Sequence, residues 1–211
     1  MHRAKRHAML ALAAVVMGYL VTTAIDSKDV LFNISMATAY VSLLLLAISL
    51  SIGPWNLLRG NPNPVSSYLR RDIGIWAGIT ALIHVIAGLQ VHMGGKFWLY
   101  FVYPLEQARR IPVRFDLFGL TNHAGLIVTL IMLLLLAISN NRSLRSLGAA
   151  RWKYMQRWNY AVAILTVLHG VAYQILEKRE LGFVILLGGV AIIRSLVQFV
   201  GFRRFRNRAR V

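Results

Sequence analysis

Cysteine is absent from this chain of 211 residues. Its absence excludes disulfides, thiolate metal sites and iron–sulfur clusters ligated by this chain. Methionine and histidine remain as the only soft or borderline metal ligands. Acidic residues are scarce as well: 7 Asp and Glu stand against 24 Lys and Arg, a net charge of +17. There is no Gly-rich phosphate loop, no nucleotide-binding βαβ unit and no internal repeat. If the protein handles electrons, another chain or a small carrier must supply them.

What is present is apolar. The chain is 57% hydrophobic, with a mean hydropathy of +0.59. That exceeds an ordinary soluble domain and implies a polytopic, all-α membrane protein. One domain, 1–211, is the natural division. A basic chain can signal nucleic-acid binding. Here the charges sit between apolar runs, so they point to membrane lipid and not to nucleic acid.

A spanning helix needs about 20 apolar residues. Six segments qualify: 8–25, 33–53, 73–93, 118–139, 158–176 and 181–202. They predict a bundle of six transmembrane helices. The first resembles a signal peptide, but its apolar run is long and no clear small-x-small cleavage site follows, so it reads as a helix. Orientation comes from the basic residues. Arg3, Lys5, Arg6, Arg59, Arg70, Arg71, the basic residues of the 142–157 connector and those of the 203–210 tail fall at one set of ends. The other ends hold Lys28, Lys96, Arg109, Arg110, Arg114, Lys178 and Arg179, with six of the seven acids, namely Asp26, Asp29, Glu106, Asp116, Glu177 and Glu180. The positive-inside rule then places both termini in the cytoplasm. The expected location is a bacterial inner membrane.

The loops differ in character. "GPWNLLRGNPNPVSSYLRRD" is a cytoplasmic turn rich in Pro, Gly and Asn. The longest outer loop carries Phe97, Trp98, Tyr100, Phe101 and Tyr103, which suggests a segment lying in the interface. The connector "RWKYMQRW" is basic and aromatic. It suits anionic lipid first, and a flavin phosphate or an acidic redox partner second. Arg194 interrupts the sixth apolar run. It either snorkels to the cytoplasmic end or marks an earlier helix end.

Six histidines occur. His2 and His7 lie at the N-terminus and carry no signal. His84 and His169 each lie 11 residues into an inside-to-outside helix, counted from Ile73 and Trp158. At 1.5 Å per residue both sit about 16 Å from the inner boundary, near mid-membrane. Two imidazoles at one depth can grip one flat ligand from opposite sides, which is what a haem needs. The stripe around His84 is Ala77, Thr80, Ala81, Ala87 and Gly88, small enough to admit a porphyrin edge. Thr80 and Thr166 are candidates to orient the imidazoles. The plainer alternative is that small residues serve helix packing and that each histidine only bonds a neighbouring helix. His92 and His123 lie near the outer face. They suit a quinone head group, a second cofactor or a metal chelate, or are interfacial residues whose tips reach water.

Two stretches, "YLRRDIGIWAGITALIHVI" and "NNRSLRSLGAARWKYMQRWNYAVAILTVLHGVAYQ", resemble the ferric reductase-like transmembrane superfamily. That group includes NADPH oxidases, ferric reductases and the small haem-binding subunit of the bacterial periplasmic methionine sulfoxide reductase system. Size and span number look most like the last. The likeness covers roughly 66 to 175. Three features carry it: the double arginine ahead of a G-x-W helix ending in Leu/Ile-His, the "SLRSLGAARWK" connector, and the "NYAVAILTVLH" helix. The resemblance implies that His84 and His169 are axial ligands of a b-type haem. Two-haem members carry a second histidine about 13 residues earlier on both helices, about 20 Å nearer the cytoplasm. Here those positions hold Gln156 and Arg71 or Arg70. One haem is therefore expected.

The resulting expectation is transmembrane electron transfer. Electrons enter from a cytoplasmic flavin reductase or quinol and leave to a periplasmic redox protein or a metal chelate. A flavin or quinone near Gln156 and Trp158 is the expected second carrier on the cytoplasmic side. Two other readings stay open: a direct ferric or cupric chelate reductase acting near His92 and His123, and a non-redox transporter or scaffold.

Overall fold

The computed structural model describes residues 3–60, 68–107 and 109–208. His2, the middle of the 53–72 turn and the last basic residue Arg210 lie outside them. Among the described residues seven α-helices follow in order: α1 Arg3–Thr22, α2 Val30–Leu58, α3 Tyr68–Val91, α4 Leu117–Ala137, α5 Asn141–Gln156, α6 Trp158–Leu176 and α7 Leu181–Arg208. There is no strand among the described residues beyond one isolated bridge, Val102 to Val113. Six helices are long and apolar enough to cross a membrane. α5 is not one by itself and runs into α6.

Side-chain caps set three of the helix starts. Asp29 Oδ1 accepts from the amides of Leu31 and Phe32 at the head of α2. Asp116 Oδ1 accepts from Gly119 at the head of α4. Asn140 Oδ1 accepts from Ser143 at the head of α5. Each satisfies an amide that has no partner inside its helix. α2 and α7 outrun their predicted bounds. α2 continues through Pro54 to Leu58, and α7 continues past residue 202, so Arg194 does not mark a helix end. The predicted connector is itself a helix, α5, broken at Gly148, whose φ of 72° favours glycine.

α2 is the hub. It packs on α1, α3, α6 and α7. In an apolar solvent, helix association relies on close backbone approach and interhelical hydrogen bonds. The α2–α3 contact shows both in one register. Ser49 Oγ donates to Arg70 O at 3.0 Å and Ser42 Oγ to Ala77 O at 2.9 Å. Seven residues further along each helix, Ser35 meets His84. A seven-residue step is two helical turns, so all three serines face α3. Gly78 lets α4 close in: a Cβ there would lie 2.7 Å from Leu136 Cδ2. The outward faces carry large exposed apolar residues such as Leu12, Leu130, Ile164 and Ile192, as lipid contact requires.

The N-terminal helix is docked by charge. Asp72, fully buried at the start of α3, receives Arg6 Nε at 2.6 Å, with Arg3 Nη2 and His7 Nε2 each at 3.5 Å. Trp76 Nε1 donates to His7 Nδ1 at 3.2 Å. His7 therefore has a structural partner, contrary to the sequence expectation. The outer loop also departs from a simple interfacial segment. It folds into three 3₁₀ turns, at Met93–Gly95, Phe97–Tyr100 and Leu105–Gln107. Phe97 and Trp98 are exposed, but Tyr100 points inward and is 1% exposed.

Candidate functional site

α3 packs on α1, α2 and α4, and α6 packs on α2, α4 and α7. Between α3 and α6 lies a cavity of about 430 Å³, within the range of small-ligand and cofactor sites. Its walls are mostly apolar, with Leu43, Leu46, Val85, Val128 and Met132 among them. Into it reach His84 from α3 and His169 from α6.

The two rings lie 6.4 Å apart, centre to centre, with planes crossed at 79°. Each is held from behind by a backbone carbonyl on a neighbouring helix. His84 Nδ1 lies 2.9 Å from Ser35 O on α2, and His169 Nδ1 lies 2.9 Å from Thr121 O on α4. A carbonyl can only accept, so Nδ1 carries the hydrogen in both rings. Neutral imidazole then keeps its lone pair on Nε2. Neither Nε2 has a protein hydrogen-bond partner among the described residues. An imidazole whose Nδ1–H is tied to a carbonyl is the usual form of a metal-ligating histidine.

The spacing bears on what could sit between them. Metal–nitrogen bonds are about 2 Å, so two imidazoles facing one metal from opposite sides have ring centres about 6 to 6.5 Å apart. No group of three or more His, Asp or Glu suited to a bare metal ion occurs among the described residues. A bare ion bound here would have two protein ligands, short of the three or four usual for a zinc site. A metal that arrives with its own equatorial nitrogens needs only two. The protein donors that the cavity offers a metal are the two imidazoles of His84 and His169.

The sequence pointed to Thr80 and Thr166 as the groups that orient the rings. The structure corrects this. Thr80 Oγ1 donates to Trp76 O and Ala77 O within its own helix. Thr166 lines the cavity, while His169 Nδ1 donates its hydrogen bond to Thr121 O on α4. The small stripe on α3 divides as well. Ala81 and Gly88 line the cavity, whereas Ala77 is packed in the core.

Three residues escaped the sequence reading. Ser35 carries the carbonyl behind His84, and its hydroxyl lies 3.1 Å from the same nitrogen. The seven-residue spacing of Ser35, Ser42 and Ser49 was its signal. Thr121 acts through its backbone, for which no side-chain signal exists. Gly125 clears space: a Cβ there would lie 2.8 Å from His169 Cε1.

The other predicted residues fall elsewhere. His92 lines the loop end of the cavity, with Nε2 3.2 Å from Glu177 Oε1. Its backbone amide donates to the Tyr100 hydroxyl, which donates on to Gly88 O. Burial pushes the Tyr100 hydroxyl above its ordinary value, so it remains a donor. His123 is not part of the cavity wall. It lies against Phe101 with its Nε2 buried and unbonded. Gln156 is also remote from the cavity. It ends α5, with Nε2 3.5 Å from Ser139 Oγ and Oε1 accepting from Asn159.

No family model matches the chain.

Proposed function

We propose that this protein is a multi-pass membrane subunit that carries electrons across a bilayer through a single b-type haem. The proposal extends to a bundle of six spans with both termini cytoplasmic, in a bacterial inner membrane. One observation carries it: two imidazoles, each tied at Nδ1 to a backbone carbonyl, lie with ring centres 6.4 Å apart and planes crossed at 79° in one mostly apolar cavity.

His84 and His169 would hold the iron through Nε2. Ser35 and Thr121 fix the tautomer and the ring planes, which keeps both lone pairs aimed inward. Leu43, Val128 and Met132 exclude water from the cavity wall. A haem with two histidine ligands supplies reversible one-electron transfer and has no open position for a substrate. The basic residues at the tail end suit a cytoplasmic donor, a flavin reductase or a quinol, and lie against anionic lipid. The acceptor on the other side is a periplasmic redox protein or a metal chelate. Membership of the ferric reductase-like superfamily, on the motifs quoted above, is part of the same proposal.

The absorption spectrum of the purified protein tests this. A reduced-minus-oxidised b-type signal is expected in the wild type and lost in both His84→Ala and His169→Ala. Colourless protein from haem-replete cells would favour the non-redox reading. A signal that persists in either variant would remove the ligand assignment.

A further inference from the structure

Arg179, in the short turn between α6 and α7, is the cavity's one guanidinium among the described residues, and no carboxylate lines the wall beside it. Its charge has no ion-pair partner among the described residues. Glu177, two positions away, faces His92 instead. The guanidinium lies 4.7 Å over the ring of Phe32 and lines the same cavity as Tyr40 and Tyr173. Beside it, Gln174 donates to the Tyr40 hydroxyl at 2.6 Å, while its own amide oxygen is buried without a donor. The polar end of the cavity is thus not closed by the protein alone. A guanidinium with no carboxylate beside it is a ready partner for an anion that enters the cavity. From His169 to the end of α6 at Leu176 the helix rises about 10 Å, and Arg179 follows in the turn, lining the same cavity as the paired rings.

We infer that Arg179 receives the carboxylate side arms of the cavity's occupant, so that the ligand is an acidic macrocycle held at its edge as well as at its metal. This rests on the haem reading above. Guanidinium matches carboxylate geometry with two parallel N–H donors. The same cation could instead meet a lipid phosphate at the membrane surface, since it is half-exposed, and the test separates the two.

Purified chain stripped of haem is titrated with haem b and with its dimethyl ester, in which both carboxylates are capped. Wild type is expected to prefer the free acid by about tenfold or more, the size of one charge-assisted hydrogen bond. Arg179→Gln should lose that preference and bind the ester as wild type does, which also shows that the variant is folded. Arg179→Lys, which keeps the charge, should retain part of it. An unchanged preference in Arg179→Gln overturns the proposal and leaves the cation to lipid phosphate. A Lys variant that binds the ester normally but shows no preference for the acid overturns it too. Binding that survives in the His84→Ala/His169→Ala double variant sinks the haem reading itself, which the Arg179 outcomes do not touch.

Discussion

The half of the molecule around His84 and His169 is hollow. The half around Arg71, Asp72 and Gln156 holds polar side chains that bond their neighbours, although Arg71 Nε and Nη2 are buried without a partner. In the first, two nitrogens are presented and left without protein partners. In the second, Arg71 Nη1 donates to Asn141 Oδ1 at 2.8 Å, Gln156 bonds Ser139 and Asn159, and Arg6 plugs Asp72. The same helices, α3 and α6, border both halves. Space for a ligand is therefore decided by side chains at particular depths and not by the helix arrangement as a whole. Ser35, Ser42 and Ser49 on α2 illustrate this. The latter two bond backbone on α3, and only Ser35 meets an imidazole.

The largest expected effect separates two glycines of α3 and α4. Gly125→Ala puts a methyl 2.8 Å from the His169 ring. The ring must turn away from its carbonyl, so haem retention should fall about tenfold or more, with the fold intact. Gly78→Ala presses on Leu136 instead. It should lower the melting temperature, at a cost of about 1–3 kcal/mol, and leave the haem signal per folded protein unchanged. If both glycines behave alike, the contrast between a site and a packing contact fails.

Next in size is Asp72→Ala. It removes a fully buried acceptor from Arg6, Arg3 and His7. Arg6 can still reach water, so about 2 kcal/mol of stability should be lost, less than for a cation left buried. Thermal unfolding in detergent measures it. The haem spectrum should be unaltered, because Asp72 belongs to the other half. A shifted spectrum would mean that the two halves are coupled.

The pattern of what was legible follows from how each feature is encoded. Helix number and the two central histidines follow from hydropathy and depth, which depend on residue type alone. The partners of those histidines do not. Ser35 and Thr121 act through backbone carbonyls that every residue has, so composition could not single them out. Thr80 and Thr166 looked suitable because they share a face with the histidines. A hydroxyl inside a helix, however, bonds its own preceding carbonyl, as Thr80 does with Trp76. Asp72 was visible as the lone acid among basic residues. Its partners lie 65 to 69 positions away, on a helix that sequence spacing does not connect to it. Gln156 was counted onto the same helix as His169, but Arg157 separates α5 from α6 there.

A smaller effect is expected at the head of α4. The hydrogen bond from Arg114 holds the Asp116 carboxyl below its ordinary value. A carboxylate with a depressed pKa stabilises the fold above its unfolded pKa of about 4 and loses that contribution as pH falls through the lower, folded value. Asp116→Ala should cost about 1 kcal/mol near neutral pH by removing the Gly119 cap. The gap between variant and wild-type melting temperatures should close as the sample is acidified below about pH 4. A gap that persists at low pH would show that the cap works without its charge.

The smallest expected effect is none. Gln156→His restores an imidazole where two-haem relatives of the proposed family carry one. A hollow inner half would let that imidazole recruit a second macrocycle, and the haem-to-protein ratio would rise toward two. If the inner half keeps its present contacts, in which Gln156 bonds Ser139 and Asn159, no second macrocycle binds there. The new ring would take over the contacts with Ser139 and Asn159, and the matching position on α3 would still be Arg71 or Arg70, neither of which can offer a lone pair to a metal. The ratio should stay at one haem per chain, by absorbance against protein mass. A rise would show that the side chains of the inner half yield readily to a ligand, and that its closure is a matter of missing histidines alone.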